Sequence, residues 1–126
     1  MSGVTYDTGA LIAAERNNRQ LWALHRRALE RGILPTVPAT VLAQAWRGGP
    51  QPLLSLLLKG CRVDPFDEGN ARLAGALLSR AATGDVVDGS VVVGAAARSD
   101  VIVTSDSDDL SALAEAADSN VRIVSI

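Results

Sequence analysis

Cysteine, histidine, lysine and aromatic side chains are all scarce in this 126-residue chain. A single cysteine, Cys61, cannot close an internal disulfide, and one cysteine beside one histidine, His25, leaves a thiolate zinc site without ligands. Aromatics make up only 3%, so aliphatic side chains and alanine must fill the core. No apolar run reaches the length of a membrane span, and the N-terminus lacks the basic segment and long apolar stretch of a signal peptide. These absences predict a cytoplasmic protein with no membrane partner. Repeats, low-complexity tracts and linkers are also missing, so residues 1–126 are expected to form one domain.

What is present is a 48% apolar composition, suited to a packed fold, and a weak net charge of −2 that is unevenly distributed. Residues 1–63 carry eight Arg and Lys against Asp7, Glu15 and Glu30, a net +5. Residues 64–126 carry four Arg against eleven acids, a net −7. A basic half and an acidic half suit a polyanion partner plus a cation site; two differently solvated surfaces are the plainer alternative.

Apolar runs and helical periodicity alternate along the chain. A short strand near 3–6 ends at Asp7, and a helix follows with Thr8 as a candidate cap and Leu11, Ile12 and Ala14 as its packed face. A second helix, near 18–31, places Leu21, Leu24, Ala28 and Leu29 on one side, and Gly32 ends it. Strands are predicted at 33–38, near 61–64, at 101–104 and in the terminal "VRIVSI". Between them lie helices over "ATVLAQAW", 52–59, 67–82 (buried stripe Ala71, Ala74, Leu77 and Leu78), from Asp85 or Asp88 to Arg98, and near 109–117. Five strands alternating with helices predict an α/β fold with a parallel sheet covered on both faces.

The segment "VIVTSDSDDLSAL" brings Asp106, Asp108 and Asp109 to the end of a core strand. In an open parallel sheet, ligands bind at the carboxyl ends of the strands. Asp7 follows the first strand at that edge, and Asp106 and Asp109 follow the fourth. The helix that feeds the fourth strand runs antiparallel to it, so its N-terminal Asp88 shares the edge. Neighbouring strands lie about 5 Å apart, so pairing of the first and fourth would crowd these carboxylates. Such a cluster repels itself unless a hard cation neutralises it, and oxygen ligands point to Mg²⁺ or Mn²⁺. Each acid also has a plainer role open to it: Asp88 and Asp85 as helix caps, and Asp108 as a cap or solvated charge. Glu15 and His25 read as surface residues, and a serine triad has no support because no His neighbours Ser90 or Ser105.

"YDTGALIAAE", "DVVDGSVVVGAA" and "VIVTSDSDDLSAL", in this order and spacing, resemble the signatures of PIN-domain ribonucleases, and most closely those of VapC toxins of bacterial toxin–antitoxin pairs. The resemblance spans essentially the whole chain. It implies a PIN-like three-layer fold, with a five-stranded parallel sheet in the order 3-2-1-4-5, and magnesium-dependent RNA cleavage. By motif, Asp7, Asp88, Asp106 and Asp109 match the family's catalytic acids, with Asp7, Asp88 and Asp106 as metal ligands. One departure stands out: where the family usually has a Glu after the second strand, this chain has Gln44, so the activity is either carried by the aspartates, compensated by Glu15, or weak.

Metal-bound water would serve as the nucleophile, with Thr8, Thr104 and Ser105 as hydrogen-bonding supports and Gln44 as a further support or RNA contact, its amide able to ligate a metal through oxygen or hold a water. Arg16, Arg19, Arg26, Arg27 and Arg47 are candidate RNA phosphate contacts, Arg47 having the flexible Gly48-Gly49 beside it. The resemblance implies a cognate antitoxin. The apolar "VLAQAW" and "PLLSLLLKG" segments suggest a homodimer anchored by Trp46. A catalytically weak PIN-fold binding protein is the main rival. A receiver-type phosphoacceptor lacks its Lys, since Lys59 precedes the third strand, and a D-x-D phosphatase motif is not found at Asp7-Thr8-Gly9.

Overall fold

The computed structural model describes residues 3–126. In chain order the elements are β1 (Val4–Tyr6), α1 (Thr8–Glu15), α2 (Arg19–Glu30), β2 (Thr36–Pro38), α3 (Ala39–Ala45) and α4 (Pro52–Lys59), then β3 (Arg62–Asp64), α5 (Glu68–Ala81), α6 (Val86–Arg98), β4 (Val101–Thr104), α7 (Asp108–Ala116) and β5 (Ile123–Ser125). All strand pairs are parallel, in the order β3-β2-β1-β4-β5. The three central strands, β2, β1 and β4, bury mostly apolar or hydroxyl side chains that helices cover from both faces, whereas the edge strands β3 and β5 are partly exposed.

Local chemistry sets the helix ends. Asp7, Asn18, Asp67 and Asp85 are N-caps, and each accepts a hydrogen bond from a backbone N–H in the first turn. The cap of α1 is thus Asp7 rather than Thr8, because the extended backbone at Asp7 aims its carboxylate at the Ala10 N–H (2.9 Å). At the end of α2, Gly32 takes φ +75°. Its N–H donates to the Leu29 carbonyl (3.0 Å) and the Ile33 N–H to the Ala28 carbonyl (2.9 Å), a Schellman ending that favours glycine.

The core runs through the sheet: Tyr6, Val37, Ile102 and Val103 are buried, with Leu11, Leu21, Leu54, Leu57, Leu77, Val91, Leu110 and Leu113 added by the helices. The expected second strand starts later, at Thr36, leaving Leu34 exposed. In α2 the buried positions are Leu21, His25 and Ala28, while Leu29 is exposed. In α5, Ala74 and Leu77 are buried and Ala71 is exposed, since the helix touches its neighbours along a narrower stripe than its alanines suggest.

Two polar clusters lie within this core. His25, expected at the surface, is buried; its Nδ1 pairs with the Tyr6 hydroxyl (2.8 Å), and its ring meets Trp22 edge-on. Burial lowers its pKa. Arg98 donates to Asp64 (2.7 Å), Asp100 (3.0 Å) and Thr5 (3.0 Å), tying the end of α6 to β3, β1 and the start of β4. No helix among the described residues is long and apolar enough to cross a membrane.

Candidate active site

β1 and β4 are neighbours, with Val4, Thr5 and Tyr6 opposite Val101, Ile102 and Val103. The next residues along, Asp7 and Thr104, therefore meet at the carboxyl edge. The Thr104 hydroxyl donates to Asp7 Oδ2, and the same hydroxyl accepts from the Asp106 N–H (3.0 Å). One threonine thus fixes the Asp7 carboxylate and shapes the turn that carries Asp106. Gly9 makes this possible from the other side, because a Cβ there would overlap the Ser105 hydroxyl. The glycine of "DTG" and the serine of "TSD" are a packing pair, and the sequence carried no local signal for it.

Asp88 arrives on α6. The capping role that either Asp85 or Asp88 might have filled belongs to Asp85, whose Oδ1 accepts from the Asp88 N–H (3.0 Å). The Asp88 side chain is left to the acidic rim. Its pKa is pushed up to about 6, first by desolvation and then by the charges of Asp85, Asp109 and Asp7. Asp7 is 7% exposed, and desolvation raises its pKa against the lowering effect of its bonds to Thr104 and Ala10; Asp106 raises it further. Asp106 Oδ1 accepts from the Asp108 N–H (3.3 Å) at the start of α7. Asp109, exposed on the same turn, shares a cleft with Asp85 and Asp88.

The four predicted acids therefore lie at one edge as a chain of neighbours: Asp88 feels the charges of Asp7 and Asp109, and Asp7 feels that of Asp106. None of the ion pairs among the described residues involves them; the paired acids are Glu68, Asp64 and Asp100. An all-oxygen, net-negative rim without a basic partner suits a hard divalent cation. Among the described residues no three His, Cys, Asp or Glu side chains are gathered tightly enough to hold an ion, so closure on one requires rotamer changes at half-buried Asp88 and exposed Asp106 and Asp109.

Gln44, on α3, meets the residue next to Asp7: Thr8 Oγ1 donates to its Oε1 (2.5 Å). It lines a second cleft with Glu15, Arg16 and Arg47. Glu15, expected to be an unengaged surface residue, accepts the Leu54 N–H (2.7 Å) and so supports the first turn of α4 across 39 positions. Nothing in the sequence near either residue announces that contact. Arg19, Arg26 and Arg27 are exposed on α2, as the sequence suggested.

No family model matches this sequence. No curated protein matches it either. Solved structures do match its fold. A chain of the VapBC2 complex from Rickettsia felis, bound to a DNA fragment from its promoter, superposes with a TM-score of 0.72 at 14% identity, covering 98% of each chain. A chain of the DNA-bound VapBC complex from Salmonella typhimurium gives a TM-score of 0.70 at 19% identity over 99% of this chain and 98% of the other. A chain of FitAcB from Neisseria gonorrhoeae gives 0.64 at 20% identity over 95% of each. With its sheet order and flanking helices, the chain has the PIN-like fold.

Proposed function

We propose that this chain is a Mg²⁺- or Mn²⁺-dependent endoribonuclease, the toxin of a toxin–antitoxin pair. The observation that carries this reading is that three separate segments deliver Asp7, Asp88, Asp106 and Asp109 to one edge of the sheet as electrostatic neighbours, none of them in an ion pair among the described residues. Asp7, Asp88 and Asp106 are the proposed metal ligands. A divalent ion held there would supply an acidified water and charge neutralisation at the phosphate. Asp109 stands beside Asp88 to orient the attacking water, and Thr104 holds Asp7 in place through its hydroxyl. Ser105, locked against Gly9, keeps the Asp106 turn close to α1.

The fold shared with chains of VapBC and FitAB complexes supports an antitoxin partner. An arginine on that partner, entering the acidic rim, would pair with a carboxylate and displace the cation. A homodimer is proposed through the apolar patch of Ala39, Leu42, Ala43, Trp46 and Leu58, where Trp46 is 43% exposed.

A second reading, a catalytically weak binding protein on the same fold, draws on the absence of a ready-made three-acid group among the described residues and on the neutral Gln44. One experiment separates the two. Purified protein, free of any partner, is incubated with structured RNAs with and without Mg²⁺ or Mn²⁺. Metal-dependent cleavage that Asp7→Asn, Asp88→Asn and Asp106→Asn each abolish supports the nuclease. No cleavage with either metal leaves the binding protein.

A further inference from the structure

Asp7 and Thr8 are adjacent in sequence but face opposite electrostatic surroundings. On the Asp7 side lie the acids. On the Thr8 side, beyond the bond to Gln44, lies the cleft lined by Glu15, Arg16, Gln44 and Arg47. Among the described residues Glu15 is the one acid lining that cleft; its Oε2 is held by the Leu54 N–H (2.7 Å) at the start of α4, and its single charge stands against two arginines. Arg16 and Arg47 are exposed and join none of the ion pairs among the described residues. The Arg47 side chain is anchored only by a bond to the Trp46 carbonyl (3.1 Å), and Gly48 beyond it adopts φ +76°.

Gln44 stands between Thr8, the neighbour of Asp7, and this cleft. An amide has one atom able to ligate a cation, its oxygen, and one able to donate, its NH₂. Here the oxygen accepts the Thr8 hydroxyl at 2.5 Å, which leaves the amino group for the cleft. A phosphodiester chain is a ligand that needs both sides: a cation-binding edge at the scissile phosphate, and neutral or cationic donors at the next one.

We propose that Gln44, with Arg16 and Arg47, binds an RNA phosphate next to the scissile one through its amide NH₂, and is not a metal ligand. This rests on the endoribonuclease reading. A carboxylate at position 44 would repel that phosphate, so the neutral side chain trades a metal ligand for a substrate contact.

The test uses the whole chain and two separate readouts. A fluorescent single-stranded RNA is titrated by anisotropy in EDTA at low ionic strength. Mn²⁺ is titrated by calorimetry without RNA. Gln44→Ala and Arg47→Gln are each expected to weaken RNA binding about 3–10-fold, the loss of one hydrogen-bonded contact. Gln44→Ala leaves Mn²⁺ affinity unchanged. Gln44→Glu weakens RNA binding further and tightens Mn²⁺. Because Gln44 is exposed, circular dichroism melts of the variants are expected to overlay the wild type. Wild-type RNA affinity in Gln44→Ala overturns the proposal, as does a loss of Mn²⁺ affinity. If the wild type cleaves RNA with Mn²⁺ and Gln44→Ala still binds normally, this inference alone fails. If the wild type neither binds nor cleaves RNA, the nuclease reading fails with it.

Discussion

Thr104, at the end of β4, donates its hydroxyl proton to the carboxylate of Asp7, at the end of β1, across 97 positions of sequence. The bond sits where two parallel strands leave the sheet, so it converts strand register into carboxylate position. Thr104→Val keeps the shape and removes the hydroxyl. The expected cost is about 1 kcal/mol in stability and, on the proposal that Asp7 holds the ion, about 10–100-fold in cleavage rate. Thr104→Ser should recover most of both. Urea unfolding beside a cleavage assay reads the two; full activity in the valine variant would make Thr104 structural only.

Asp7 has a second duty as the N-cap of α1. Asparagine caps nearly as well as aspartate. Asp7→Asn is therefore expected to abolish cleavage while shifting stability by less than about 1 kcal/mol. Asp7→Ala loses the cap as well and should unfold earlier by about 1 kcal/mol more. Comparing the two by thermal melts separates the structural role from the chemical one.

Asp88 carries repulsion from Asp85, Asp109 and Asp7. Its pKa is raised from 3.8 to about 6, so its charge costs stability at neutral pH, and that cost is relieved progressively as the pH falls from about 6 and is gone only below the unfolded value of 3.8. Asp88→Asn is expected to raise Tm at pH 7.5 by about 2 °C and to abolish cleavage. A lower Tm would show that the carboxylate makes a stabilising contact instead.

His25 works in the opposite sense. Burial lowers its pKa below 6.5, so the unfolded chain takes up a proton first on acidification. Its contribution is fully present above about pH 6.5 and is lost as the pH falls toward the folded value. His25→Gln keeps a polar group beside the Tyr6 hydroxyl and does not titrate. The Tm gap between wild type and this variant should narrow from pH 7.5 to pH 5. A gap constant with pH would show that His25 does not change protonation between the folded and unfolded states in that range. His25→Ala leaves the Tyr6 hydroxyl without its partner and should cost about 1–3 kcal/mol at pH 7.5.

Trp46→Glu places a charge in the apolar patch on α3 and α4. It is expected to turn the proposed dimer into a monomer at micromolar concentration, read by light scattering. A wild type that is itself monomeric at that concentration removes the dimer.

Much of this protein is determined by its sequence alone. Strand-like apolar runs alternating with helical periodicity require a parallel sheet, and a parallel sheet puts Asp7, Asp88 and Asp106 at one edge whatever the details of packing. That logic needs only the direction of each element, which local pattern carries. The tertiary structure decided what pairs with what. His25 lies on a basic helix and reads as surface, yet it is buried because α2 packs it against Tyr6. Glu15 reads as solvated, yet it caps α4 at Leu54. Gly9 reads as part of a motif, yet its missing side chain is filled by Ser105. Gln44 shares a rim with Thr8 only because α1 and α3 lie side by side. Each of these contacts joins residues at least 19 positions apart. A periodic pattern tells which face of a helix is apolar, but not which neighbour meets that face or at what rotation. Those are set by the close packing of the whole core.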